Sequence, residues 1–264
     1  MSATGSELLA AVEASPRAVA AHDRAAWVGL FTSGAQVEDP VGSRPHIGHA
    51  AIERFYDTFI APNGIAFRVE HDVVCGTTVF RDLVIETTMS TGVTLRVPMH
   101  LRYDLERVGD ELRIGALHAH WELPVMIVQL LSAGVRGLAA GLRLTPQLLG
   151  NQGIGGALGF ARGFVRVGAA GKRAAIGLLE DAARGEVERV RAALAPGAVL
   201  EWPAGIAVDP AAFVSQAAGT GVGKTIAAGR YVTASVETTA GHGIAEIVVA
   251  RGGLVSAVRV FVSD

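Results

Sequence analysis

A nine-residue stretch of this chain occurs twice. Gly34-Ala-Gln-Val-Glu-Asp-Pro-Val-Gly42 returns as Gly197-Ala-Val-Leu-Glu-Trp-Pro-Ala-Gly205. A helical segment precedes each copy (23–31 and 185–194), and a second short helix follows each (48–59 and 209–218). Alternating apolar runs then read as strands. In the first half these are 66–74, 78–89, 93–103 and 111–121; in the second they are 225–238, 243–250 and 254–262. Helices followed by a long antiparallel sheet make an α+β layer arrangement, and the repeat requires the chain to build it twice. A length of 264 residues suits two ordinary domains, each long enough to bury a core. The expected organisation is a first domain over 1–122, an apolar Gly-rich helical connector over 123–171, and a degenerate second domain over 172–264.

Charged residues make up 18% of the chain and hydrophobic residues 50%, against a usual charged share of about a quarter. The apolar excess must be absorbed by a pocket, an interdomain interface or a membrane surface. A formal net charge of −2 without a basic cluster excludes nucleic acid as an expected partner. Cys75 is the single cysteine, so no intrachain disulfide forms, which suits a reducing cytoplasm. Residues 1–13 lack a basic segment followed by an apolar run, so no signal peptide is expected. The run 124–142 is apolar apart from Gln129, Ser132 and Arg136. Its arginine, glycines and serine argue against a membrane span and for an amphipathic helix over a domain mouth.

The string Val37-Glu-Asp-Pro-Val-Gly42, then Gly48-His-Ala-Ala-Ile-Glu-Arg-Phe-Tyr56, then Ala119-His-Trp121 resembles the ketosteroid isomerases. It also resembles their relatives in the SnoaL-like and nuclear-transport-factor-2-like superfamily. The resemblance covers about residues 7–122 and, more weakly, 175 to the C-terminus. It implies two cone-shaped domains, each with helices packed on a curved antiparallel sheet. It also implies a general base at Asp39: a carboxylate at the mouth of an apolar cone loses solvation, its pKa rises, and it can take a proton next to a ketone. Tyr56 is implied as a hydrogen-bond donor. Trp27, Phe31, Phe55, Met99, Tyr103, Leu117 and Trp121 are implied as the pocket wall for a flat hydrophobic ligand. The family's oxyanion tyrosine falls on Ser15 or Pro16, and its protonated acid on Met99, so both usual donors are replaced. Trp202 stands in the second copy where Asp39 stands in the first, which implies a catalytically silent domain serving as an intramolecular pseudo-dimer partner. A homodimer of such chains is left open.

The implied function is proton transfer, isomerisation or cyclisation, on a hydrophobic cyclic ketone such as a steroid or polyketide, with no cofactor and no metal. The alternative is a non-catalytic carrier for a hydrophobic small molecule; a scaffolding role, with the connector docked on a membrane or protein, is a third reading. Three other signals are set aside. Ala218-Gly-Thr-Gly-Val-Gly-Lys-Thr225 matches a phosphate-loop pattern, but the flanking order of helix then strand is the reverse of what such a loop needs. His118 and His120 share a strand face, with His100 on the neighbouring strand, and read as outward-facing residues rather than metal ligands. His22, His46, His49, His71 and His242 are scattered and take no role.

Overall fold

A computed structural model of the chain describes residues 3–135, 137, 139 and 165–263. The chain divides into two compact units. One comprises residues up to Glu70 and again from Thr77; the other comprises His71–Gly76 and the chain from Arg166 onward.

The first unit begins with α1 (Gly5–Ala20), started by a reciprocal cap in which Thr4 Oγ1 accepts from Glu7 N and the Glu7 carboxylate accepts from Thr4 N. Leu8, Val12, Ser15 and Val19 recur at helical spacing and form its buried face. Helix α2 (Arg24–Gly29) is capped by Asp23, which accepts from Ala26 N at 2.8 Å. Strands β1 (Phe31–Glu38) and β2 (His46–Ile47) lead to α3 (His49–Phe55), which ends in a π-helical turn, Tyr56–Ile60. A four-strand meander follows: β3 (Gly64–Cys75), β4 (Thr78–Thr88), β5 (Thr94–Val108) and β6 (Glu111–His120). Helix α4 (Leu123–Ser132) closes the unit's described elements. The sheet order is β2-β1-β6-β5-β4-β3.

The second unit contains α5 (Gly168–Ala183), α6 (Val187–Ala193), β7 (Leu194–Glu201), α7 (Pro210–Gln216), β8 (Gly221–Ala228), β9 (Tyr231–Thr238), β10 (Gly241–Val249) and β11 (Val255–Val262). Its sheet order, β7-β11-β10-β9-β8, matches β1-β6-β5-β4-β3 strand for strand. Leu178, Phe213, Val232, Ile247 and Val258 are buried in one apolar core with Trp202.

The fold class is α+β, as the sequence implies, with three differences of detail. The sheets are mixed rather than antiparallel, because β1 runs parallel to β6 and β7 parallel to β11. Each parallel pair joins the first and last strands of its unit, which the whole intervening meander connects, so the long crossover a parallel pair needs is present. The run 225–238 is two strands rather than one, broken at Gly229, whose φ of +55° suits glycine in the tight turn. The first half of each repeated motif is strand, ending at Glu38 and Glu201, and the second half is the turn, which its glycines and proline conceal. Residues 218–220 turn into β8, which already includes Gly221–Thr225, and no helix follows, so the phosphate-loop pattern has no phosphate-loop context. Most of the 123–171 connector lies outside the described residues. Among the described residues no helix is long and apolar enough to cross a membrane.

Candidate functional site

The inner face of the first sheet is set by strand alternation. Leu95, Val97, Met99, Leu101 and Tyr103 point inward along β5, while Arg96 and Arg102 point outward. With α1–α3 and α4 they enclose a cavity of about 170 Å³. Its polar lining residues are Ser15, Asp39, Asn63, Thr87 and Tyr103; the rest are aliphatic, aromatic or methionine.

Asp39 reaches this cavity because its neighbour is pinned the other way. Glu38 pairs with His118 across β1 and β6. Its carboxylate accepts from Gly42 N at 2.8 Å and contacts His118 Nδ1 at 3.2 Å. Gly42, at φ +95°, supplies the left-handed turn, and Val41 N donates to Ala119 O at 2.9 Å, which ties the turn to β6. The next side chain, Asp39, therefore faces inward. Trp121 Nε1 donates to Asp39 Oδ1 at 2.6 Å. Burial pushes the Asp39 carboxyl up from 3.8 to about 6, and the Trp121 hydrogen bond pulls the opposite way. The result is a carboxylate ionised at neutral pH yet basic enough to take a proton.

Of the nine residues expected at the site, the structure brings seven into the cavity lining: Asp39, Trp27, Phe55, Met99, Tyr103, Leu117 and Trp121. Phe31 and Tyr56 are not among the lining residues. Phe31 is fully buried behind Trp27, packed edge-on at 4.8 Å. Phe55 and Phe59 turn toward the cavity, and Tyr56, about 100° further round the helix than Phe55, falls on another side. It packs on Trp27 at 5.6 Å. Its hydroxyl is buried without a hydrogen-bond partner, and burial, with the nearby Asp23 and Asp57 carboxylates, raises its pKa.

Two roles escaped the sequence reading. Trp121, expected as apolar wall, also holds the Asp39 carboxylate; no one-dimensional signal reveals that its indole N–H meets Asp39. Ser15 lines the cavity, and its Oγ accepts from Trp27 Nε1 at 3.1 Å. That leaves its own hydroxyl hydrogen to donate elsewhere.

The histidines of β5 and β6 lie on the face of the sheet opposite the cavity, as expected, but His100 and His120 are buried there and His118 is half-buried. His100 and His120 are direct cross-strand neighbours, 0% and 2% exposed. His100 Nε2 lies 3.6 Å from Asp82 Oδ1. Burial, with His100, His118 and Arg102 nearby, holds His120 well below the ordinary histidine pKa and hence neutral. Among the described residues, a group with three candidate metal donors is His71, Glu237 and His242 in the second unit. There His242 and Glu237 are cross-strand partners at 2.7 Å, and the His71 ring stacks on His242 at 3.9 Å and 17°. Stacked rings present faces to each other, whereas a shared ion needs their in-plane nitrogens aimed at one point.

The SnoaL-like domain family matches residues 12–111, the span that builds most of this cavity. A Delta 5-3-ketosteroid isomerase from Mycobacterium sp. is 30% identical over 45% of this chain and 95% of its own length, with a TM-score of 0.42. The first domain belongs to the SnoaL-like family. RV0760c from Mycobacterium tuberculosis is 27% identical over 46% of this chain and 96% of its own, with a TM-score of 0.42. The same protein is also known in complex with estradiol-17beta-hemisuccinate (27% identity, 45% and 95% coverage, TM-score 0.41). No curated protein matches the chain. Within this SnoaL-like domain, Asp39 is the one carboxylate among the described residues that line the cavity.

Proposed function

We propose that the first domain catalyses proton transfer next to the carbonyl of a hydrophobic cyclic ketone, as in isomerisation or cyclisation through an enol, with Asp39 as general base. The observation that carries this reading is a buried carboxylate, raised to about 6 and held by one indole N–H, in a mostly apolar cavity. Burial raises its basicity, Trp121 fixes its direction, and the surrounding hydrocarbon excludes water from the enol. The hydroxyls of Ser15 and Tyr103 are the candidate donors to the enolate oxygen, in place of the family's usual pair.

The test is conversion of a β,γ-unsaturated 3-ketosteroid to its conjugated isomer, followed by ultraviolet absorbance. The expected result is turnover that rises with pH through about 6, because only the ionised base works, and a fall of about 10²-fold or more in Asp39→Asn. Undiminished turnover in that variant removes Asp39 from the chemistry. A second reading, a ligand carrier, is favoured by Met99 standing in the lining where the family's acid would be. It predicts tight steroid binding, unchanged in Asp39→Asn, without turnover in either protein.

A further inference from the structure

Strand β6 ends at His120, opposite His100, so the backbone of β5 beyond that point has no strand beside it on the β6 side. The chain turns there into α4, and one side chain of α4 takes the missing strand's place. Gln129 Oε1 accepts from Arg96 N at 3.0 Å, and Gln129 Nε2 donates to Arg96 O at 2.8 Å. This is the two-bond exchange that a neighbouring strand would make, supplied by an amide. The residues flanking Arg96, Leu95 and Val97, point into the cavity. Met126 and Leu130, one helical turn apart on the same face of α4, line it as well. The other face of α4 is open: Val128 is 66% and Leu131 60% exposed. Among the described residues, α4 is held on its cavity side by this two-bond latch and a few apolar contacts.

We propose that α4 determines which ligands the cavity accepts. Met126 and Leu130 set the length of hydrocarbon that fits at the end of the cavity remote in sequence from the Asp39 turn, and Gln129 latches the helix over the bound molecule. The ligand class is a rigid apolar ring system with its carbonyl toward Asp39 and an unfunctionalised hydrocarbon end beneath α4. Around Leu95, Val97, Met126 and Leu130 the lining is apolar apart from Thr87, the cross-strand partner of Leu95, so burying a charged or strongly polar terminus there costs free energy. Ligand entry and exit then require the Gln129–Arg96 pair to open.

This inference rests on the reading of the cavity as a site for apolar ketones. The experiment uses the full chain and two naphthyl ketones, 6-methyl-2-acetylnaphthalene and its 6-pentyl homologue, which differ only at the end opposite the carbonyl, with binding followed by the change in tryptophan fluorescence. Met126→Ala and Leu130→Ala are each expected to raise the pentyl-to-methyl affinity ratio roughly tenfold, about two methylene groups' worth of burial. Leu130→Phe fills the same space and is expected to lower the ratio, so a general loss of folding cannot mimic the pattern. Gln129→Ala is expected to speed dissociation of both ketones about tenfold while leaving the ratio alone. Ratios within twofold of wild type in all three lining variants overturn the specificity role, and an unchanged dissociation rate in Gln129→Ala overturns the latch. Absence of saturable binding of either ketone to wild type sinks the apolar-ketone reading and this inference together. Saturable binding with unmoved ratios sinks this inference alone. Loss of steroid turnover in Asp39→Asn bears on neither ratio.

Discussion

Replacing Asp39 with asparagine is expected to change how the stability of the first domain depends on pH. The unfolded chain releases the Asp39 proton near 3.8, and the folded chain releases it near 6. The folded domain therefore holds this proton more tightly, so protonation stabilises it. That contribution is fully present below 3.8 and is lost as pH rises through about 6. At about 1.36 kcal/mol per tenfold change in proton affinity, the whole contribution is roughly 3 kcal/mol. About 2 kcal/mol of it disappears between roughly pH 4 and roughly pH 8. Asparagine does not titrate, so its variant lacks this slope. It also adds a constant offset, because its NH₂ group enters an apolar cavity while its carbonyl can still accept from Trp121. The offset shifts the curve without tilting it. The assay is urea unfolding of wild type and Asp39→Asn at several pH values, followed by tryptophan fluorescence. Trp27 and Trp121 report on the first unit, and Trp202 is common to both proteins and drops out of the difference. The variant should gain on wild type by about 2 kcal/mol across this range. Parallel curves would refute the claim that the folded domain pays to keep an ionised carboxylate in this cavity.

Trp121→Phe removes the one hydrogen bond that holds the Asp39 pKa down, so the carboxyl should titrate above about 6; ¹³C NMR titration of the carboxyl checks this without reference to activity. Ser15→Ala leaves the buried Trp27 indole N–H without its acceptor and should cost about 1–3 kcal/mol in the same urea assay. Gly243→Ala would place a Cβ 2.7 Å from the backbone oxygen of Phe261, which β11 cannot move, and should destabilise the second unit by about 1–3 kcal/mol. Gly115→Ala, whose added Cβ meets only the flexible side chain of Glu106, should be close to neutral in thermal unfolding.

The fold was legible where local pattern and tertiary need agree. The period-2 run from Leu95 to Tyr103 marks one buried face, and that face became the cavity wall. Legibility failed where a short motif carries several signals at once. β1 holds a glycine and runs into a proline turn, so it reads as a loop, yet long-range pairing with β6 makes it a strand. Phe31 and Tyr56 were legible as buried aromatics but not as residues outside the cavity. Which side of a helix faces a hollow depends on how α2 and α3 rotate against each other, and Trp27 settles that by taking Phe31 and Tyr56 onto its own ring. Asp39 was visible in the chain and the residue that holds it was not, because residues 39 and 121 meet only through the sheet.

The two copies of the repeated motif separate what the turn needs from what chemistry needs. Glu38 accepts from Gly42 N in the first copy, and Glu201 accepts from Gly205 N at 2.9 Å in the second. The same carboxylate-to-amide lock therefore forms whether the next residue is Asp39 or Trp202. Closing the turn does not call for an acid at the inward position, since tryptophan serves there, packed on Phe213 at 5.4 Å within a continuous apolar core. In the first copy the same inward position carries a carboxylate whose ionisation the surrounding burial opposes, and a cavity lies in front of it. A group that costs its domain stability and that the turn can do without is best explained by what it does to a molecule in the cavity.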